Sequence, residues 1–83
     1  MTTLHNLKIE PQYLHDIIYD VKQFEIRKND RDFKVGDRVR VDDGERYANL
    51  VIKYISDYAQ QDGYIVFGFH HIGGGLVEAL YGR

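Results

Sequence analysis

Lys22, Glu25 and Arg27 stand at spacings of three and two in the run Lys22-Gln23-Phe24-Glu25-Ile26-Arg27-Lys28-Asn29-Asp30. In an extended strand, alternate side chains point to opposite faces. Phe24 and Ile26 then share the face turned to the core, and Glu25 and Arg27 share the other. Lys22 falls on the Phe24/Ile26 side at the start of the strand, where its head can swing clear of the core. One short strand offers an acid and two bases around a single opening, a place for a polyanion or a polar small molecule. In such a site Lys22, Arg27 and Lys28 meet phosphates. Glu25 accepts from an exocyclic amine or orients Lys22, and Asn29 and Asp30 shape the mouth. The plain alternative is a Glu25–Arg27 pair on a solvated face, worth at most about 1 kcal/mol.

Other residue types that could do chemistry are less well placed. Seven Tyr and four Phe are many for 83 residues and most simply fill a small core and its rims. Tyr58, inside the polar segment Asp57–Gly63, is the best candidate for an exposed ring on which a base could stack. His70 and His71 are neighbours, so a strand turns them to opposite faces and they do not share a metal ion. Gly73-Gly74-Gly75 lacks the Gly-Lys-Ser/Thr of a phosphate loop and reads as a hinge before a tail. Ser56 is the only serine and belongs to no nucleophile triad. No metal or cofactor is expected.

These groups need a scaffold, and length bounds it. Eighty-three residues make one domain, residues 1–83, with a modest core. Without Cys there is neither a disulfide framework nor a thiolate metal site, which suits a cytoplasmic protein. No signal peptide and no membrane-spanning run is expected. The net charge is −2, but it is unevenly spread. Seven bases and four acids lie between Lys22 and Arg40, against four bases and nine acids elsewhere. A basic stripe on an acidic body steers anions to one face.

Periodicity predicts the elements. Leu4–Ile9 alternates as a short strand. Pro11 opens a helix whose stripe is Tyr13, Leu14, Ile17, Ile18 and Val21, ending near Asp20 in a left-handed conformation. The motif strand runs from Gln23 to Lys28, and Asn29–Asp32 is a loop. Val35-Gly36-Asp37 turns into Arg38–Val41, valines inward and arginines outward. Asp42–Glu45 is a hairpin turn, Tyr47–Ser56 a long bent strand, and Tyr64–Ile72 a strand buried on both faces. Residues 72–83 are expected to form a flexible tail, with one helical turn over 76–83 as the alternative. The order is β-α-β-β-β-β: an α+β fold, a small mixed barrel with one helix covering an end.

Lys22, Glu25 and Arg27 also reproduce the K-x-x-E-x-R core of the ASCH domain, a relative of the PUA-like RNA-binding barrels. Asp20 stands where that motif usually opens with Gly. The run Phe24–Phe33, the Val35-Gly36-Asp37 turn and the segment Ile55–Tyr64 resemble an uncharacterised branch of that superfamily. The resemblance implies a PUA-like mixed barrel of about five strands. It also implies RNA or a nucleotide-like ligand in a cleft between helix and barrel. Some small ASCH proteins are amidohydrolases acting on an acetylated cytidine nucleoside through K-x-x-T and a later Glu. Here Glu25 occupies the Thr position and supplies no hydroxyl nucleophile. A hydrolase using Lys22 and Glu25 therefore stays an alternative to binding, and a ligand-free protein-interaction module is a third reading.

Overall fold

Arg38-Val39-Arg40-Val41 carries the strongest period-two signal in the chain, and it builds an interior strand of the sheet. Val39 and Val41 are fully buried on one face while Arg38 is exposed on the other. The computed structural model describes residues 2–58 and 60–77. Its elements are β1 (Leu4–Lys8), α1 (Pro11–Ile18), β2 (Phe24–Lys28), β3 (Arg38–Asp42), β4 (Arg46–Ser56) and β5 (Tyr64–Leu76). The expected element order therefore holds. The strands form one mixed sheet in the order β1-β3-β4-β5-β2, with β1 parallel to β3 and the other pairs antiparallel. The sheet curls into a half-barrel, with β1 and β2 as its two edges.

Turn chemistry sets the register. Val35-Gly36 closes a turn through the Asp37 N–H to Lys34 carbonyl bond (3.0 Å), with Gly36 at φ +94°, a left-handed position that favours Gly. Asp43-Gly44 reverses the chain between β3 and β4. The Asp43 carboxylate accepts from the N–H groups of Glu45 and Arg46 at 2.9 and 2.8 Å. Those bonds, that from Arg46 foremost, lower the Asp43 pKa below the ordinary carboxylate value against the opposing effect of burial.

Helix α1 places Leu14 and Ile17, both fully buried, on the inner face of the sheet. Tyr13 and Val21 stay largely exposed, so the apolar stripe is narrower than its sequence pattern. The helix ends in a Schellman motif. The Val21 N–H reaches the Asp16 carbonyl at 2.8 Å, the Asp20 N–H reaches Ile17 at 3.1 Å, and Asp20 sits at φ +65°. The left-handed conformation expected at Asp20 is present.

Three expectations are corrected. The first concerns β2. Phe24 and Ile26 are 45% and 50% exposed, whereas Glu25 is buried at 9%. The register is the cause: Glu25 lies opposite Phe67, and Phe24 opposite Gly68. Directly opposed residues share a face, so the inward face of β2 is the one carrying Glu25 and Arg27.

The second concerns Gly73–Gly75, which are not a hinge. They continue β5 and pair with Asn49, Ala48 and Tyr47. A Cβ at Gly74 would collide with the Tyr47 carbonyl, so close backbone approach explains that glycine. Ile72–Leu76 therefore belong to β5 rather than to a tail, and residues 78–83 lie outside the described set.

The third concerns the burial of β5. Only its middle is buried on both faces; His70, His71 and Ile72 are exposed. β2 pairs with β5 only from Tyr64 to Gly68, which leaves the second half of β5 covered on one side alone.

Candidate ligand-binding cleft

The half-barrel leaves a seam between β1 and β2, and arginines cross it. Arg27 Nη2 donates to the Lys8 carbonyl at 2.9 Å, and Arg31 Nη1 donates to the Asn6 carbonyl at 3.1 Å. In β1 the Asn6 and Lys8 carbonyls point away from β3, because Thr3 and Ile9 bond toward that strand. The two guanidinium groups thus satisfy an edge that would otherwise be bare.

A cleft of about 410 Å³ opens on this seam beside the start of α1. Lys8, Ile9 and Glu10 form one wall, Glu25, Arg27 and Lys28 another, and Tyr13 and Tyr64 bring two aromatic rings. Glu25 lies at its base. Its Oε2 accepts from Arg27 Nε at 2.8 Å, and its Oε1 pairs with Lys22 Nζ at 3.3 Å. The Lys22 ammonium also lies 4.9 Å from the Phe24 ring centre and 5.6 Å from that of Tyr13. Lys22 and Arg27 therefore both meet Glu25, as their spacing predicts, but Lys22 does not itself line the cleft. They meet at a buried acid, not on a solvated strand face.

The remaining expected residues divide. Lys28 lines the cleft, is exposed, and has no carboxylate partner among the described residues. Asp30 lines a neighbouring hollow of about 320 Å³ that shares Lys8, Arg27 and Lys28 with the cleft. Asn29 faces a third depression, formed with the loop Asp57–Gly63. Tyr58 is 85% exposed, as expected, but lines neither the cleft nor its neighbour. A separate apolar hollow of about 370 Å³ lies among Ile18, Tyr47 and Gly73–Gly75. It holds none of the motif residues, so the seam carries the stronger chemistry.

Sequence reasoning missed Lys8, Glu10 and Tyr13 as cleft residues. Only tertiary structure brings them to the motif strand, since β2 and β1 face each other without pairing. It also missed a buried pair: His5 Nε2 lies 2.8 Å from Asp37 Oδ2, with both residues at most 5% exposed. An ionised carboxylate can only accept, so Nε2 carries the hydrogen. The N–H groups of Thr3 and Lys34 donate to the same carboxylate at 3.2 and 3.1 Å. Hydrogen bonding from His5 foremost, then from these amides, lowers the Asp37 pKa against the burial that would raise it. His5 packs on Phe33, which packs on Phe67. This pair ties β1 to the turn before β3 and belongs to the core.

A family match spans residues 4–69, from the start of β1 into β5. It therefore covers every motif residue and both sides of the seam. The chain belongs to the DUF3850 family. That family is described as a domain of unknown function. No curated protein matches the chain. No helix of the described residues is long and apolar enough to cross a membrane.

Proposed function

We propose that this DUF3850 domain is an ASCH-type, PUA-like module that binds a nucleotide, free or within RNA, in the seam cleft. The observation that carries the reading is the clustering of Lys8, Arg27 and Lys28 around Tyr13 and Tyr64 in a cleft of about 410 Å³. Cations meet phosphate oxygens, aromatic faces stack on bases, and acids accept from amines on a base edge. The volume falls within the range of pockets that take small ligands. Glu25 acts as a positioning group, because each of its oxygens already holds a cation. Glu10, at the wall, is the acid placed to accept from a ligand. That assignment favours binding over the hydrolytic alternative, which asks Glu25 for proton transfer.

Calorimetry and thermal shift against nucleosides, nucleoside monophosphates and short RNAs test the reading. A ligand that prefers the native state raises the melting temperature. Nucleotides should raise it more than nucleosides do. Lys28→Ala should weaken binding and lower the log–log salt slope for single-stranded RNA by roughly 0.7. Silence across the whole panel would overturn the reading.

One observation favours a second reading, a protein-interaction module. Phe24, Ile26 and Tyr54 are each about half exposed on the outer face of the sheet. The Tyr54 ring fills the space above Gly68. If that face serves a protein partner, Phe24→Ser should abolish association and leave nucleotide binding intact.

A further inference from the structure

The cleft and its neighbour have matching parts. Each has planar groups in its lining: Tyr13 and Tyr64 in the cleft, and the Arg31 guanidinium in the smaller hollow. Each has a carboxylate at its wall, Glu10 in the first and Asp30 in the second. Between them stand three bases that line both: Lys28, which has no carboxylate partner among the described residues, Arg27, and Lys8, whose Nζ a phosphate would share with Asp42 Oδ1 (2.9 Å). Arg27 is fixed there by Glu25 and by the Lys8 carbonyl, and Arg31 is fixed by the Asn6 carbonyl.

A single nucleotide has one base and puts its phosphate at one end. It would use one of these halves and leave the other empty. Two linked nucleotides put a phosphate between two bases, which is the order of groups along the seam. Resting on the nucleotide-binding reading, we propose that the seam holds two consecutive nucleotides of a single strand. The linking phosphate lies at Lys8, Arg27 and Lys28, one base meets Tyr13 and Tyr64, and the next stacks on Arg31. A guanidinium plane is a stacking surface for an unpaired base, and a carboxylate accepts from amino groups on a base edge. Asp30 and Glu10 then favour bases that present an amine, adenine, cytosine and guanine over uracil.

The test compares the dinucleoside monophosphates with the matching nucleoside 3′- and 5′-monophosphates by calorimetry at fixed salt. The linked pair should bind about ten-fold tighter or more, the worth of one additional stacked base. In Arg31→Ala the ratio of the two affinities should fall toward one, and the melting temperature of each variant reports that it is folded. Asp30→Ala supplies an independent probe, because it removes one of the two acceptors and should narrow the preference for ApA or CpC over UpU while Glu10 retains the rest. Equal binding of linked and single nucleotides by the native chain would overturn the two-base track while leaving the nucleotide site standing. Binding of neither would overturn both. A ratio unmoved by Arg31→Ala would place the second base elsewhere and overturn the assignment to the smaller hollow.

Discussion

Glu25 and Asp37 are the two buried carboxylates among the described residues, and they are buried in different ways. Asp37 is enclosed by His5 and by two backbone N–H groups, all fixed by the turn Lys34–Asp37 and by β1. Glu25 is held by the ends of two long cations whose side chains are about a quarter exposed. The first acid is locked by rigid donors in a closed core. The second lies at the base of an open cleft, and its partners reach solvent. Closed, short-range satisfaction marks a structural acid, whereas partners that reach solvent at a cleft mark a site where a ligand can compete.

The widest separation between the two should appear on deletion. Asp37→Ala leaves His5 and the N–H groups of Thr3 and Lys34 without their acceptor in the core. Breaking a buried pair costs about 3 to 5 kcal/mol. A domain of this size has little more in reserve. Urea denaturation should show a large fall in midpoint or outright unfolding. A loss below about 1 kcal/mol would place Asp37 with the exposed pairs and erase the contrast.

A purely apolar deletion calibrates that loss. Ile17→Ala removes a fully buried side chain of α1 and should cost about 2 to 4 kcal/mol. An unchanged midpoint would mean that the helix carries no part of the core. Glu25→Gln should cost less, about 1 kcal/mol, since water can reach both cations it releases. Its larger effect should be on selectivity. Freed of their acid, Lys22 and Arg27 become generic anion binders, so the preference for a nucleotide over inorganic phosphate should narrow in competition measurements.

Acid sharpens the same comparison. The pKa of Asp37 is lowered below its unfolded value of 3.8, so this group binds fewer protons when folded. Its stabilising contribution is complete well above that value and is lost as pH falls through it toward the lower folded pKa. Asp43 acts with the same sign. Stability should therefore fall progressively below about pH 5. Asp37→Asn should flatten that limb, and an acid limb unchanged in this variant would show that Asp37 is not locked as its hydrogen bonds imply.

The legible and illegible parts of this structure follow from range. Arg38–Val41, the Val35-Gly36-Asp37 turn and Asp20 obey local rules of alternation and backbone conformation, and the sequence states them directly. The convergence of Lys22, Glu25 and Arg27 was legible as well, because three residues on one short segment stay close in any strand. Which face of β2 turns inward was not. Phe24 and Ile26 are the more apolar pair, but pairing with β5 sets Glu25 opposite Phe67, and a strand cannot bury both faces at an edge. The guanidinium bridges from Arg27 and Arg31 connect residues 19 and 25 positions apart. His5 and Asp37 lie 32 apart. Such contacts depend on sheet order, which no local period encodes. The glycines misled because their role is close packing on β4 rather than freedom.

A third acid gives the finest test of the contrast. Asp20 is exposed and at φ +65°, and its carboxylate makes no hydrogen bond among the described residues. Its backbone N–H closes the helix, so the position needs a conformation rather than a charge. L-residues adopt the left-handed region at a cost that glycine does not bear, although glycine loses more entropy on folding. The first effect should win at this helix end, and Asp20→Gly should raise stability by about 0.5 to 1 kcal/mol. Asp20→Ala keeps the Cβ penalty and loses the tolerance of Asp for this region, so it should lower stability. Opposite signs for Gly and Ala would show that the carboxylate is dispensable there. Two variants that destabilise alike would reveal a charge role for Asp20, and with it an acid that matters without being buried.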